Sequence, residues 1–416
     1  MSISDPLDWS LTSGLLPGVL FALGGFAAGY LLRGRWTVSW LRVAACLLMA
    51  SVVLTVGLVW FVNGVLQPFP DRLPITVCDW LGAGIAAVLL AVGNGYRQPW
   101  RRAVISGAAA VLVIVGCAVG VNAYYGQYPT VRSAIGLPPH DEVSFAQAAN
   151  QTSSTGQVAR VEIPGTTSGF HARRGLVYVP PAYQASDQRP LPVLVLLAGQ
   201  PGNPRDLFAG GRMAEVLDAY ARRHGGRAPV VVAPDDLGAT MANPLCLDSR
   251  LGRVATYLAR DVPDWIRRHL RVDPDPARWA IGGYSHGGTC ALQLAVGYPT
   301  VYPTFVDVSG QREPTLGSRD KTVRAAFGGD EAAFRRVNPL DVLKHRRFPQ
   351  VFGVLVAGAE DRDYLPQQRA VRAACGSAGM TVVWVELPGG HNWAVWGPGL
   401  ATGLDRITGR LGLEQV

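Results

Sequence analysis

The sequence predicts an N-terminal multi-pass α-helical membrane region followed by an α/β domain with a mostly parallel sheet and helices on both faces. Only 16% of the 416 residues are charged, against about a quarter in an ordinary soluble protein. The scarcity is concentrated in the first 125 residues, which hold seven Arg, four Asp and no Lys or Glu. From residue 157 onward, apolar runs of strand length alternate with helical patterns. We therefore expect a membrane region at 1–125, a connector at 126–156 and the α/β domain at 157–416.

Four long uncharged apolar runs predict four transmembrane helices. About 20 apolar residues in helical conformation cross the hydrocarbon core of a bilayer, and three of the runs reach that length. The third run is shorter, but Trp80 and Tyr96 at its ends are suited to the membrane interface. Asp5 and Asp8 argue against a cleavable signal peptide, because its first segment is normally basic. The four runs are 11–32, 43–66, 80–95 and 104–124.

Arginine placement predicts how these helices are oriented. The arginines cluster between the first and second runs and between the third and fourth, and such loops are usually cytoplasmic. The C-terminal domain should then lie on the extracytoplasmic side of the cell membrane. No Asp, Glu, Lys, Arg or His lies inside any run, which favours anchoring over transport. The arginines are Arg33, Arg35, Arg42, Arg97, Arg101 and Arg102.

The pattern after residue 157 places strands and helices in alternation. The run 191–197 is continuously apolar, as expected of a strand buried on both faces. The predicted strands are 157–163, 175–179, 191–197, 230–233, 279–281, 305–308, 351–356 and 382–387. The predicted helices are 205–223, 251–270, 285–296, 365–378 and 393–411. The charged segment 311–347 is expected to be either a lid over a site or a solvated surface excursion.

A G-x-S-x-G motif at 283–287 carries the first sign of chemistry. It lies between a short apolar strand and an apolar helix, which is the setting of a nucleophile on a sharp strand-to-helix turn. Ser285 is the candidate nucleophile, and it needs a base because a serine hydroxyl is weakly nucleophilic. Of the histidines that follow, His286 adjoins the serine and His345 lies among basic residues that disfavour imidazolium. His391, after a late strand and a Gly-rich turn, is therefore the candidate base.

The acid that orients this histidine should follow a late strand. The strand 351–356 leads into a loop with three carboxylates, one of which should accept the His391 Nδ1–H bond. Asp361 is the first choice, and Asp363 and Glu360 remain alternatives.

The oxyanion hole needs two backbone N–H groups near the nucleophile. One is expected from His286, which directly follows Ser285. The other should come from the loop after strand 191–197, where Pro201 has no N–H to offer. Gln200 is the better donor and Gly202 the second choice.

The cysteines and the basic residues limit other functions. A Cys246–Cys290 disulfide is possible on an oxidising side, but sequence spacing does not establish it. The sequence has no C-x-x-C motif and no His/Cys cluster, so we expect neither a metal nor another cofactor. It also has no Lys/Arg-rich run of the kind that binds nucleic acid, although its net charge is +8.

Several segments together resemble the bacterial serine esterase family of the α/β-hydrolase fold, which includes esterase D, feruloyl esterases, enterochelin esterases and mycolyltransferases. The resemblance spans about 157–412 and implies Ser285 as nucleophile, Asp361 as acid, His391 as base and Gln200 in the oxyanion loop. Ala198 departs from the His or Asp usual at its position, and the membrane region is additional to the family. The matching segments are PVLVLLAG (192–199), VVVAPDD (230–236), GGYSHGG (282–288), GAEDRDY (358–364) and PGGHNWAVW (388–396).

The leading hypothesis is a membrane-anchored extracytoplasmic serine esterase that hydrolyses a carboxylic ester through an acyl-enzyme. Its partners would be an ester-containing small molecule or an envelope lipid, and the membrane itself. An acyltransferase acting on a cell-envelope lipid or sugar is the first alternative, since only the acceptor differs. A non-catalytic membrane scaffold is the second. Trp393 and Trp396 are expected either to line an acyl pocket or to belong to the core.

Overall fold

The computed structural model of the protein describes residues 5–34, 37–67, 69–137, 142–184 and 190–413. It divides the chain into two compact units, Met1–Leu137 and Pro138–Val416. The division falls inside the predicted connector. Residues 138–141 of that connector, and Arg35 of the predicted cytoplasmic loop, lie outside the described residues.

The first unit contains four long helices where the sequence predicts membrane spans. All four are long and apolar enough to cross a membrane, which supports membrane association of this unit. A π-helical turn at Val62–Leu66 extends the second helix at its C-terminal end. The Thr37 hydroxyl caps the first turn of the same helix. The helices are α1 Leu15–Arg33, α2 Val38–Phe61, α3 Ile75–Gly95, α4 Trp100–Tyr125 and the short α5 Val131–Ala134.

Small residues and one buried amide hold the long helices together. At Gly24 in α1 a Cβ would lie 3.4 Å from the Leu112 carbonyl oxygen of α4, so the two backbones approach closely. Asn94 of α3 is fully buried and its Nδ2 donates to the Leu31 carbonyl oxygen at 2.9 Å. Large apolar side chains such as Phe26 and Trp60 are exposed on the outside of the unit. This is the surface expected of helices that face lipid.

An eight-stranded sheet forms the centre of the second unit, with the strand order β1-β2-β4-β3-β7-β8-β9-β10. The β2 strand pairs antiparallel with β1 and β4, and the pairings from β4 to β10 are parallel. The mostly parallel sheet predicted from the sequence is confirmed. The strands are β1 Gln157–Val161, β2 Gly175–Val179, β3 Val193–Leu197, β4 Val230–Ala233, β7 Trp279–Tyr284, β8 Thr304–Val308, β9 Phe352–Gly358 and β10 Thr381–Leu387, with a separate two-stranded hairpin of β5 Asp248–Ser249 and β6 Gly252–Arg253.

Helices cover both faces of this sheet. One apolar core contains residues of α10, α11 and α15, and the other contains residues of α8 and α16. The central strand β7 is buried along its whole length and contributes alternate side chains to the two cores. The helices are α6 Phe145–Asn150, α7 Asp206–Ala209, α8 Met213–Arg223, α9 Val254–Thr256, α10 Val262–His269, α11 His286–Gly297, α12 Arg319–Phe327, α13 Glu331–Val337, α14 Pro339–Val342, α15 Leu365–Ser377 and α16 Trp393–Leu411.

One predicted helix, 205–223, is wrong as a single element because it breaks into α7 and α8. A Cβ at Gly210 would lie 2.4 Å from the Trp393 ring, so a side chain here would clash with the distant α16. Arg212 then adopts a left-handed conformation (φ 49°) before α8 begins. The predicted helix 251–270 likewise begins later, at Val254, and includes a π-helical turn before α10.

The segment 311–347 folds into three helices, α12 to α14. The Arg319 guanidinium holds them by pairing with Glu313 at 2.6 Å, Glu331 at 2.9 Å and Asp341 at 2.7 Å. Burial raises the pKa of Asp341, but hydrogen bonds from Lys344, Arg319 and Asn338 outweigh it and hold the pKa below its usual range. The segment 311–347 is therefore an ordered part of the second unit, with three helices joined by ion pairs.

Candidate active site

The turn between β7 and α11 positions Ser285. Its backbone lies at φ 54° and ψ −119°, a conformation that non-glycine residues rarely adopt. Its N–H donates to the Val308 carbonyl oxygen of β8 at 2.8 Å, which fixes the turn against the neighbouring strand. The strand–turn–helix setting that the motif predicts is present.

The two outer glycines of the motif are required by close backbone contacts. A Cβ at Gly283 would lie 2.5 Å from the Leu197 carbonyl oxygen, and one at Gly287 would lie 2.2 Å from the same atom. Neither position can accept a side chain without moving β3 or the start of α11. The motif therefore reflects how tightly the first turn of α11 packs against β3.

Three side chains form a hydrogen-bonded chain at the carboxyl edge of the sheet. The Ser285 Oγ lies 2.9 Å from the His391 Nε2, and the His391 Nδ1 lies 2.9 Å from the Asp361 Oδ2. Ser285 follows β7, Asp361 follows β9 and His391 follows β10, so adjacent parallel strands bring them to one edge. With a proton on Nδ1, the His391 Nε2 can accept the serine proton.

Burial separates Asp361 from the other two carboxylates of its loop. The Asp361 residue is 4% exposed, whereas Glu360 and Asp363 are exposed to solvent. Its second oxygen, Oδ1, accepts the backbone N–H of Tyr364 at 3.0 Å. Both carboxylate oxygens are thus held, one by the loop and one by His391.

Aromatic rings enclose the imidazole of His391. The Tyr364 ring stacks on it with centroids 3.7 Å apart, and the Trp396 ring meets it edge to face at 4.9 Å. Trp393 and Trp396 are both buried in the core that contains α16, where they pack against Tyr284. Sequence reasoning missed the contact of Tyr364 with His391, although the position of Tyr364, three residues after the candidate acid, was an available signal.

The two expected oxyanion donors lie at the ends of paired strands. His286 follows Ser285 and begins α11, and Gln200 follows β3, whose Leu197 lies opposite Gly283 of β7. The alternative donor, the N–H of Gly202, already donates to the Thr240 carbonyl oxygen at 3.1 Å. That bond favours Gln200.

An ion pair between the half-buried Arg173 and the buried Asp235 supports the loop that carries Gln200. The Arg173 guanidinium bonds both oxygens of Asp235, at 2.6 Å and 3.0 Å, and donates to the Gly202 carbonyl oxygen at 2.9 Å. It also donates to the Thr240 hydroxyl at 3.0 Å. Arg173 thus ties both partners of the Gly202–Thr240 contact to the end of β4. The sequence reasoning missed this residue, which carries no recognisable motif.

Behind the serine, four further side chains converge in the interior. Cys246 and Cys290 form a disulfide, the pairing that sequence spacing left open. The His286 Nε2 lies 3.4 Å from the Cys246 Sγ and 3.3 Å from the Cys290 Sγ. The Asp236 carboxylate lies 3.4 Å from the same nitrogen, and burial raises its pKa. Apart from the possible Cys246–Cys290 pair, sequence reasoning missed this cluster, because its members come from two segments that are distant along the chain.

This geometry belongs to a chain that matches an esterase family model. A family model described as putative esterase matches residues 170–407, more than half of the chain. An uncharacterized protein of Corynebacterium glutamicum is 36% identical over 400 residues, which are 92% of this chain and 91% of that relative. The family match agrees with the resemblance read from the sequence motifs.

Two solved structures share the fold of the second unit. A ferulic acid esterase matches with a TM-score of 0.54 at 17% identity, over 62% of this chain and 99% of that one. An S-formylglutathione hydrolase from Agrobacterium tumefaciens matches with a TM-score of 0.52 at 20% identity, over 63% of this chain and 98% of that one. At these identities the likeness concerns the fold. The chain thus belongs to the esterase family of the α/β-hydrolase fold, and it is a hydrolase.

Proposed function

We propose that this protein is a membrane-anchored serine esterase that hydrolyses a carboxylic ester through an acyl-enzyme on the extracytoplasmic side. The observation that carries the proposal is the hydrogen-bonded chain from Ser285 through His391 to Asp361. Membership of the esterase family supports the same reaction class. The four apolar helices support the anchor, and the arginines of the two predicted cytoplasmic loops support the orientation.

The first half of the reaction forms the acyl-enzyme. The Ser285 Oγ attacks the ester carbonyl carbon while its proton passes to the His391 Nε2. The Asp361 carboxylate accepts the Nδ1–H bond and stabilises the imidazolium. The backbone N–H groups of Gln200 and His286 bond the oxyanion, and His391 then gives its proton to the departing alcohol.

The second half releases the acid. Water takes the place of the alcohol, the His391 Nε2 accepts a proton from it, and the resulting attack on the acyl carbon forms a second oxyanion held by the same two N–H groups. Collapse of this intermediate returns the proton to the Ser285 Oγ. The substrate is an ester-containing small molecule or an envelope lipid. A lipid ester suits a hydrolase anchored beside a bilayer.

The decisive experiment compares the full chain and its Ser285→Ala variant in detergent micelles. We expect the wild type to hydrolyse members of an ester chain-length series and to react covalently with a fluorophosphonate at Ser285. The variant should lose at least about 10⁴-fold in kcat and all labelling, because nucleophile removal in serine hydrolases has effects of this size or larger. Equal activity in both proteins would reject the nucleophile assignment.

A matched control and a product analysis complete this test. Ser377→Ala removes an exposed hydroxyl at the end of α15 and should leave hydrolysis and labelling unchanged. Supplying sugar and lipid hydroxyl acceptors then distinguishes the fate of the acyl group. Free acid as the product supports hydrolysis. New esters of the added acceptor would instead show that the protein is an acyltransferase.

A further inference from the structure

The cluster of Asp236, Cys246, His286 and Cys290 places two polar side chains against a disulfide in the interior. A disulfide has no proton to donate, and its sulfurs are weak acceptors, yet a buried carboxylate and a buried imidazole both point at it. Burying a carboxylate costs free energy unless strong partners compensate. Asp236 is 1% exposed and His286 is 6% exposed, so solvent supplies little compensation. The neutral disulfide adds no charge to the contact between the Asp236 carboxylate and the His286 Nε2, which lie 3.4 Å apart.

The spacing of the four ligand atoms matches a tetrahedral metal site. Bond lengths of about 2.3 Å to sulfur and about 2.0–2.2 Å to nitrogen and oxygen place the ligands of tetrahedral Zn²⁺ about 3.3–3.8 Å apart. The two sulfur–nitrogen distances here are 3.4 and 3.3 Å, and the nitrogen–oxygen distance is 3.4 Å. The two sulfur–oxygen distances are 3.4 and 3.7 Å. Five of the six edges of such a tetrahedron are therefore present, and the sixth is the disulfide bond.

We propose that these four side chains form a Zn²⁺-binding site when the Cys246–Cys290 disulfide is reduced. Two molecules of a thiol reductant open the bond, giving two cysteine thiols and one disulfide of the reductant. Each thiol then gives up its proton as it binds the metal, so two protons are released. The Asp236 carboxylate and the neutral His286 Nε2 complete the set. Three anionic ligands and one divalent cation leave a net charge of −1, the same net charge that an ionised Asp236 carries beside the disulfide, so metal binding would leave no additional charge in the interior.

The metal would replace the disulfide as a tie between two parts of the unit. Asp236 and Cys246 lie on the segment after β4, and His286 and Cys290 lie on the first two turns of α11. Either bond therefore anchors the helix that follows Ser285. The His286 side chain is the metal ligand, whereas its backbone N–H is the proposed oxyanion donor. The inference thus does not depend on the proposed esterase activity.

The experiment uses the full chain in detergent micelles and needs no substrate. The protein is reduced anaerobically with a phosphine, which consumes one water per disulfide and becomes the phosphine oxide, and is then titrated with Co²⁺. We expect intense visible bands of tetrahedral Co²⁺, charge-transfer bands from thiolate, and displacement of Co²⁺ by one equivalent of Zn²⁺. The same protein with its disulfide intact should give neither set of bands. Zn²⁺ should also raise the melting temperature of the reduced protein, because it binds the folded state.

Variants locate the site. Cys246→Ser and Cys290→Ser should remove the thiolate bands. Asp236→Asn should weaken Zn²⁺ binding about tenfold or more, since loss even of outer-shell partners costs 10- to 100-fold. Cys375→Ser is the matched control, because Cys375 is buried in the same unit but outside the cluster.

Three results would overturn the proposal. The first is a reduced wild type that binds no more Co²⁺ than the oxidised protein. The second is a reduced chain whose far-ultraviolet circular dichroism shows unfolding that Zn²⁺ does not reverse. The third is a Cys375→Ser variant that loses the thiolate bands as fully as Cys246→Ser does.

Discussion

Three carboxylates follow β9 within four residues, and at the scale of single residues burial distinguishes them. Asp361 is enclosed, bonded to the Tyr364 N–H and bonded to His391, whereas Glu360 and Asp363 face solvent. A carboxylate shielded from water interacts more strongly with an imidazolium than an exposed one does. Spacing along the chain carries no information about that shielding.

Asp361→Asn should lower kcat for ester hydrolysis by about 10³- to 10⁴-fold, because the amide cannot hold the His391 tautomer that accepts the serine proton. The KM should change little, since Asp361 does not reach the substrate. The matched control is Asp363→Asn, which changes an exposed neighbour in the same loop and should leave kcat as in the wild type. If the Asp363 variant shows the large loss and the Asp361 variant does not, the acid is wrongly assigned.

A second buried carboxylate makes stability depend on pH. Burial at the end of β8 raises the pKa of Asp307 to about 7, although bonds from the Gln368 Nε2 and the Gly310 N–H oppose that rise. An unfolded Asp titrates near pH 3.9. Between about pH 4 and pH 7 the folded state therefore holds more protons than the unfolded state, and the free energy of unfolding falls as the pH rises.

Asp307→Asn removes this titration, so the melting temperature of the variant relative to wild type should be higher at pH 8 than at pH 4.5. Thermal unfolding followed by circular dichroism at both pH values measures this difference. Because other groups titrate equally in both proteins, their contributions cancel in the comparison. An offset between variant and wild type that is the same at both pH values would show that Asp307 is ionised throughout.

Elements, rather than single residues, place the two proposed oxyanion donors. The loop after β3 is held from outside by Arg173, which joins Asp235, Gly202 and Thr240. A guanidinium can make these bonds at once because its donors lie in a fixed planar fork. We infer that Arg173 is a positioning residue for the Gln200 N–H.

Arg173→Met should lower kcat about 10- to 100-fold with little change in KM, because a displaced oxyanion donor weakens binding of the transition state more than binding of the ester. Arg173→Lys should recover part of the loss, since an ammonium can still pair with Asp235. Rates are normalised to sites that react with fluorophosphonate, which removes any effect of unfolded protein. The neighbouring Arg174→Met is the control, because Arg174 is exposed and pairs with Glu162. A Met variant with a normal kcat per labelled site would leave Arg173 with a purely structural role.

At the scale of the whole molecule, the composition of the two units suits lipid around the first and water around the second. The first unit exposes large apolar side chains on four helices that are long enough to cross a membrane, where lipid would cover them. The second unit buries its apolar side chains in cores on the two faces of a sheet. The overall 16% of charged residues averages these two compositions. The hydrolase unit needs water on its surface, which both sides of a membrane provide, so its proposed orientation rests on the arginines.

Labelling with an impermeant maleimide tests that orientation, in a background where Cys46 and Cys78 are replaced by Ala. Ser377→Cys, on the surface of the hydrolase unit, should react in intact spheroplasts. Gln98→Cys, between α3 and α4, should react only after lysis. Labelling of the Gln98 variant alone before lysis would reverse the topology.

Local patterns were enough to predict most elements and part of the site. The strands of the sheet and the four apolar helices appear where period and length predict them, because burial in a core or in lipid leaves a direct mark on composition. Ser285 and His391 could be singled out as candidates for a similar reason, since each lies in a short segment whose backbone needs particular residues. The helix predicted at 205–223 failed as a single element because Arg212 adopts a left-handed conformation between α7 and α8, which no local pattern indicates.

By itself, the sequence determined the two-part architecture, the nucleophile turn and the order of serine, acid and histidine, because these depend on neighbouring residues and on the order of strands. Tertiary structure alone decided which carboxylate bonds His391, that the Gly202 N–H bonds the Thr240 carbonyl oxygen, and the meeting of Asp236, Cys246, His286 and Cys290. Each of those outcomes depends on distances between segments far apart along the chain. Such distances are set by the packing of the sheet and its helices.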